Sequence, residues 1–306
     1  MGTYVLRRLL QMIPVILGTT FLIYWMVFSL GDPALGRCGE RPCPESFVAK
    51  LHEDYNLDKS LPVQYALYMG KVVQGDLGTS FNGDSVSEQL RVRWPTTIRL
   101  AAIAIAFETV IGISAGLLAG LRRRGFWDTL VFVTTLVIIS IPSFVLGSVA
   151  QMVFGVRLGW FPVTATQGTW NQLLLPGFVL GSMSMAYVAR LTRNSLAENL
   201  SADYVRTARA KGLSTGRVVG VHTFRNSLIP VVTFIGADFG ALMGGAIVTE
   251  RIFNIQGIGG YIFHAISTKD GTAVVGTITF LVIVFLVMNL LVDLLYGALD
   301  PRIGHE

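Results

Sequence analysis

Six apolar stretches, each about as long as a helix that crosses a lipid bilayer, constrain this chain more than any other feature. They cover residues 9–30, 100–121, 129–156, 173–189, 228–248 and 274–299. A membrane-spanning helix needs about 20 mostly apolar residues, and only helices and closed barrels satisfy their backbone hydrogen bonds in lipid. Barrel strands alternate in polarity over about ten residues. These continuous runs therefore predict an all-α integral membrane protein with six transmembrane helices.

The first stretch also has a feature of a cleaved secretory signal, because Arg7 and Arg8 precede it. A signal peptide has an apolar core of about 7–15 residues followed by a small-x-small cleavage site. Here the apolar run is longer, and Gly31-Asp32-Pro33 follows it. We therefore expect an uncleaved first transmembrane helix. The composition also indicates a membrane protein, since only 14% of residues are charged, against about 25% in soluble domains.

The distribution of Lys and Arg predicts that both termini are cytoplasmic. With the N-terminus inside, the inner segments are 1–8, 122–128, 190–226 and 300–306, and they hold 13 basic and 5 acidic residues. Cytoplasmic loops of membrane proteins carry such an excess of positive charge. The pI near 9.4 therefore indicates membrane topology rather than a nucleic-acid partner.

The predicted organisation has three parts: an N-terminal arm and first helix over 1–30, an extracytoplasmic loop over 31–97, and a core helical region over 98–306. The loop is too long for a simple connector. We expect it to form a small helical cap between the first two transmembrane helices. The alternative is a loosely structured loop.

Local patterns within the loop predict three short helices. Apolar residues recur at helical spacing over 47–55, and Pro62 is suited to open a second helix. Ser85 and Glu88 have the spacing of a capping box for a third helix, which we expect Pro95 to end. The run 75–78, Gly-Asp-Leu-Gly, predicts a turn between helices.

The two cysteines, Cys38 and Cys43, both lie in this outer loop. An extracytoplasmic face permits disulfides, and the four turn-prone residues between the two cysteines let their sulfurs meet. We predict a disulfide between them; the alternative is two free thiols. Two sulfurs without neighbouring histidines do not make a metal site, and we expect none.

The inner segment 190–226 combines many arginines with an apolar stripe, the pattern of a helix along a membrane surface or in a partner's groove. Gly212 is suited to end that helix, and Ser214 or Thr215 to begin a second short one. Pro230 marks the entry to the fifth span. The alternative is a basic loop held by lipid headgroups.

This inner segment resembles a known family. The run 203–214, Asp-Tyr-Val-Arg-Thr-Ala-Arg-Ala-Lys-Gly-Leu-Ser, continuing to 225–230, Arg-Asn-Ser-Leu-Ile-Pro, is similar to the cytoplasmic signature of permeases in binding-protein-dependent ABC importers. The run 207–213 is closest to the dipeptide, oligopeptide and nickel branch. The Glu-Ala-Ala that names the motif elsewhere is here Arg206-Thr207-Ala208.

The resemblance extends over nearly the whole chain and suits the first permease of such a system. It includes 4–10, 62–65, 75–80, 158–162, 289–296 and 300–302. The sequence departs from the family pattern in the Cys38–Cys43 insert and in two acids inside spans, Glu108 and Asp238.

The resemblance implies that the inner segment forms a coupling helix in a groove of an ATPase subunit. The residues that it assigns to this contact are Arg206, Thr207, Ala208, Gly212, Leu213, Ser214 and Arg217. The chain itself has no G-x-x-x-x-G-K-[S/T] motif. We therefore expect no catalytic site and no cofactor in this chain, with ATP and Mg²⁺ bound by partner ATPases.

Glu108 and Asp238 are the candidates for the translocation path. A charged residue inside a span costs about 2.5–3.5 kcal/mol on insertion scales, so it is expected to face a bundle interior or water. The alternative is a buried acid that is hydrogen-bonded or protonated.

Small residues at four-residue spacing allow helices to approach closely in lipid. Such stripes occur in spans two and five, at Gly112, Gly116 and Gly120 and at Gly236, Gly240 and Gly244. They suit a joint between two permease subunits or a gate; ordinary packing within the chain is the alternative.

The resemblance thus implies a multi-pass permease in the inner or plasma membrane, importing peptides or a related small solute. Its expected partners are a second homologous permease, two ATP-binding subunits, an extracytoplasmic substrate-binding protein and the lipid bilayer. A channel or secondary transporter that runs without ATP is the alternative.

Overall fold

Every regular element in the described part of the chain is helical. The structure, a computed structural model, describes residues 2–29 and 58–299. Within these ranges the one strand-like feature is a single antiparallel bridge between Thr79 and Ser85. The prediction of an all-α protein is therefore confirmed.

The helices before residue 160 are α1 (Gly2–Ser29), α2 (Leu61–Val73), α3 (Val86–Leu121), α4 (Phe126–Ser140) and α5 (Ser143–Arg157). Helix α3 contains a π-helical turn at Glu108–Gly112, between Val86–Phe107 and Ile113–Leu121. The last part of α5, Gln151–Arg157, is also π-helical.

The later helices are α6 (Trp170–Leu200), α7 (Asp203–Ala210), α8, α9 (Ile258–Ser267) and α10 (Gly271–Leu299). Helix α8 begins with Thr215–Arg217, passes through a π-helical turn at Val218–Thr223 and continues as Phe224–Ile252.

Five of these helices are long and apolar enough to cross a membrane: α1, α3, α6, α8 and α10. A sixth span is present if α4 and α5 are counted together, although they bend by 104° at the break between Ser140 and Ser143. Pro142, which has an extended ψ of 139°, stands in this break. The structure thus contains five of the six predicted spans, and the third predicted span corresponds to the bent pair α4 and α5.

Helix α3 shows that the predicted stop at Pro95 is wrong. The helix runs through Pro95 and joins the third predicted short helix to the second span. Tertiary contacts hold the chain on both sides of the proline: Trp94 meets Phe280 edge-on at 5.2 Å between ring centroids, and Thr97 Oγ1 accepts a hydrogen bond from the Ile258 N–H at 2.9 Å.

Two further boundaries differ from the predictions. The fourth span is longer than expected because α6 continues past the apolar run into Arg190 and Arg193 and ends at Leu200. The second inner helix is not separate, because α8 continues from Thr215 through Pro230 into the fifth span. By contrast, the predicted opening of a helix at Pro62 is confirmed by α2.

The chain divides into two compact units. The first comprises the described parts of residues 1–97 and 256–306. In it, α1 packs on α10 and α2, and the Thr20 hydroxyl lies 2.7 Å from the Tyr65 hydroxyl. Its buried core includes Leu77, Val86 and Ile258.

The second unit comprises residues 98–255 and is built around α6. The second half of α3, together with α4, α5 and α8, packs against α6. The core includes Leu100, Leu173, Val179 and Phe253, all at most 2% exposed. Large apolar side chains of α4 such as Phe132 and Val137 point outward, as expected for a lipid-facing surface.

Candidate functional site

The first candidate is the segment 203–217, which folds as a helix, a glycine turn and the beginning of a second helix. Helix α7 ends in a Schellman motif: the Gly212 N–H donates to the Arg209 carbonyl at 2.9 Å, and the Leu213 N–H to the Ala208 carbonyl at 3.2 Å. Gly212 has φ +77°, a conformation that L side chains rarely adopt. Ser214 then stands in extended conformation at the start of α8.

A small apolar cluster packs α7 against the beginning of α8, across the glycine turn. Val205, Ala208 and Val218 are buried, with Leu213 packed against them. Because Val205 and Ala208 are three residues apart, they share one face of α7. The apolar stripe predicted from sequence is therefore used to join α7 to the beginning of α8. Ala208, predicted to contact the ATPase, is 8% exposed and lies inside this cluster.

The remaining predicted contact residues are on the outside of the turn. Arg206, Thr207, Gly212, Ser214 and Arg217 are exposed, and Leu213 is half-buried. Arg206 forms an exposed ion pair with Asp203 at 2.9 Å. A Cβ added to Gly212 meets nothing within 4 Å. We call these exposed residues, Arg206, Thr207, Gly212, Ser214 and Arg217, the polar ridge. The space around Gly212 is open.

An ion pair at the base of this segment was not predicted from the sequence. Arg193 on α6 donates to both carboxylate oxygens of Asp128 on α4, each at 2.9 Å, and the Arg124 N–H donates to Asp128 Oδ2 at 2.8 Å. The only signal in the sequence is one acid beside three arginines at 122–124. The pair joins α4 to α6.

The second candidate is the acid pair inside the spans. Glu108 begins the π-helical turn of α3 and is 0% exposed, whereas Asp238 on α8 is half-buried. The two carboxyl groups are close enough to interact electrostatically, and the Ser184 hydroxyl of α6 is near Asp238. Glu108 Oε1, Glu108 Oε2 and Asp238 Oδ2 are all buried without a hydrogen-bond partner.

The glycines predicted as a packing stripe in span two face α6 within the same chain. A Cβ at Gly112 stands 2.8 Å from Val188 Cγ1, one at Gly116 2.5 Å from the Ala189 carbonyl oxygen, and one at Gly120 2.9 Å from Leu196 Cδ2. These distances are shorter than real Cβ contacts. Helices α3 and α6 therefore approach closely because these positions have no side chain.

The three glycines predicted as a packing stripe in span five differ in their burial. Gly240 is buried and Gly236 half-buried, whereas Gly244 is exposed. A Cβ at Gly244 meets nothing within 4 Å. The predicted disulfide between Cys38 and Cys43 lies outside the described residues, as does the outer loop over 31–57.

Family models cover both parts of the chain. Residues 112–305 match the model described as binding-protein-dependent transport system inner membrane component. Residues 1–101 match the N-terminal model of the membrane component of such systems.

Similar proteins align over their full lengths with all of this chain. A dipeptide transport system permease of Alkalihalophilus pseudofirmus is 38% identical, with 100% of each chain covered. A glutathione transport system permease of Pectobacterium atrosepticum is 36% identical, and a di/tripeptide transport system permease of Pseudomonas aeruginosa is 37% identical, each with 100% coverage of both chains. The chain is therefore a member of the family of inner-membrane permeases of binding-protein-dependent transport systems, a transport subunit and not an enzyme.

Proposed function

We propose that this permease imports peptides and that its exposed ridge around Gly212 is the surface on which an ATPase acts. The observation that carries the ATPase contact is the turn after α7, where Arg206, Gly212 and Arg217 are exposed on a folded, well-packed base. Because this apolar cluster packs α7 against the beginning of α8, we expect the two elements to move together as one unit. Closure of two ATPases then moves α7 together with the beginning of α8.

ATP is hydrolysed by other subunits of the transporter. No phosphate-binding loop occurs in this sequence, so ATP and Mg²⁺ are bound by two partner ATPases. A substrate-binding protein delivers the solute at the outer loop 31–97. Both termini lie on the ATPase side, in agreement with the basic inner segments.

The path runs between this chain and a second, homologous permease. Asp238, half-buried on α8, is proposed to line the path, with Glu108 behind it. Gly244 lies on the same helix and is open, which suits close approach of another chain. Gly112 and Gly116, packed against α6, hold the wall of the path together.

The peptide assignment rests on the relatives, whose names specify dipeptide, di/tripeptide and glutathione transport. Uptake of labelled dipeptide and of glutathione in cells with and without the chain tests this assignment. We expect loss of peptide uptake in the deletion strain and its return on complementation. Unchanged uptake of both solutes contradicts it.

The test of the ATPase contact is a mild-detergent pull-down of the tagged chain from native membranes. Wild type is compared with Gly212→Trp and with Gly212→Asn, the control, because Asn tolerates a positive φ. We expect ATPases and a second permease with wild type and Gly212→Asn, and weaker ATPase recovery with Gly212→Trp. Recovery of no ATPase under any gentle condition overturns the proposal in favour of a channel or secondary transporter.

A further inference from the structure

The acid pair Glu108–Asp238 has no basic partner in the described parts of α3, α6 and α8, the helices that carry the pair and Ser184. On α6, Ser184 is near Asp238, and the ring of Tyr187, one turn away, lies 6.3 Å from the ring of Phe234 on α8. The nearest basic residues of α6 are engaged elsewhere: Arg190 lies over the Phe132 ring, and Arg193 binds Asp128. They stand six and nine residues beyond Ser184, about 9 and 14 Å along the helix.

The nearest basic residues on α8 and α3 are also far from the acid pair. On α8, Arg225 and Arg251 are each 13 residues from Asp238, about 20 Å away along the axis. On α3, Arg99 lies nine residues before Glu108, about 14 Å away, and is directed toward the Gly168 carbonyl. In the described parts of α3, α6 and α8, no positive charge therefore stands beside the two carboxylates.

A single proton bound between the two carboxyl groups removes the repulsion between two buried negative charges. Two ionised carboxylates in contact repel each other strongly when buried, and such pairs retain one proton between them. If Glu108 carries it, the Glu108 O–H donates to Asp238 Oδ2. This one hydrogen bond satisfies a Glu108 oxygen and the unpartnered Asp238 oxygen, and the Ser184 hydroxyl is near the charge that remains on Asp238.

The backbone of α3 departs from α-helical geometry at Glu108. The π-helical turn begins at Glu108 and ends at Gly112, and a Cβ on Gly112 stands 3.0 Å from the Met185 carbonyl oxygen of α6. A π-bulge inserts one extra residue, and such turns are frequent at functional sites. Here the bulge begins at the buried acid itself.

We propose that Glu108 and Asp238, assisted by Ser184, form a buried binding site for one proton that links α3, α6 and α8. The site is independent of which solute the permease carries. The proton shared by the two carboxyl groups is the ligand.

Infrared spectroscopy of the purified full-length chain in nanodiscs at pH 7 tests the site, because a protonated carboxyl has a C=O band distinct from carboxylate and amide bands. We expect one such band per chain. It shifts when Glu or Asp carboxyls are ¹³C-labelled, and it disappears in Glu108→Gln. Glu198→Gln, which changes an exposed acid of α6, leaves the band in place.

A second measurement separates a proton site from an ordinary ion pair. Gln at position 108 imitates the protonated acid and donates to Asp238, so Glu108→Gln is expected to change Tm by less than about 2 °C. Absence of the band in labelled wild type overturns the proposal, whether or not the variants fold. A fall in Tm well beyond that range in Glu108→Gln, with Glu198→Gln unchanged, also contradicts it.

Discussion

At the scale of single residues, the absence of a side chain at Gly116 decides how close α3 comes to α6. The Cβ of an alanine there stands 2.5 Å from the Ala189 carbonyl oxygen and 2.6 Å from Thr192 Cβ. Backbone cannot move aside as the end of a flexible side chain does. Overpacking of this kind costs about 1–3 kcal/mol.

We therefore expect Gly116→Ala to lower the free energy of unfolding by about 1–3 kcal/mol, measured as reduced Tm and reduced yield of the folded chain in detergent. Gly244→Ala is the matched control, since its Cβ meets nothing within 4 Å and alanine favours helix. Equal stability of the two variants would show that α3 and α6 are less tightly packed than described.

Asp270 is a second residue whose role comes from its surroundings. It accepts hydrogen bonds from the Ser80 hydroxyl at 2.6 Å, the Phe81 N–H at 2.8 Å and the Ala273 N–H at 3.0 Å. The last of these caps the first turn of α10, and the other two attach the turn that follows α2. One carboxylate thus joins two segments 190 residues apart in sequence.

Asp270→Ala is expected to destabilise the first unit by about 2–4 kcal/mol, because buried donors left unpaired cost about 1–3 kcal/mol each and are not fully additive. Thermal unfolding of the purified chain measures the effect. Asp84→Ala, at an exposed position of the same turn, serves as control. A smaller loss for Asp270→Ala than for the control contradicts the role of Asp270.

At the scale of elements, the stability of the inner turn depends on the cluster under it. Val205 and Val218 are both 0% exposed, although α7 has only eight residues. A helix of this length is unstable alone, so its persistence depends on packing against the beginning of α8. The polar ridge can keep its shape only while this cluster is intact.

Val205→Ala is expected to increase hydrogen exchange at the amides of 203–213, since loss of two buried methyl groups costs about 1–3 kcal/mol. The spans are expected to keep their protection. The control is Val221→Ala, where the valine is 58% exposed. If exchange in α7 is the same in both variants, the turn is held by contacts other than this cluster.

At the scale of the whole molecule, the distribution of arginine predicts the topology, and cysteine labelling tests it. In a background in which Cys38 and Cys43 are replaced by serine, Arg123→Cys and Asn82→Cys each introduce one exposed thiol. A membrane-impermeant maleimide is expected to label Asn82→Cys in intact spheroplasts and Arg123→Cys only after permeabilisation. The opposite pattern reverses the orientation of the chain.

The two compact units show where prediction from sequence becomes incomplete. The boundary near residue 97 falls inside the continuous helix α3, whereas the sequence suggested a helix end at Pro95. A proline weakens a helix by a local amount. The contacts of Trp94 with Phe280 and of Thr97 with Ile258 come from segments more than 150 residues away, which no local pattern reveals.

The sequence by itself determined the membrane spans, the turn at Gly212 and the helix that Pro62 opens, because each depends on transfer of local apolar surface to lipid or on the backbone preferences of one residue. The family signature in 203–214 was also readable without a structure. Only the tertiary structure decided the 104° bend between α4 and α5, the burial of Ala208, the ion pair of Asp128 with Arg193 and the meeting of Glu108 with Asp238. These features depend on how each helix is rotated and placed against its neighbours, and that arrangement is the outcome of packing over the entire chain.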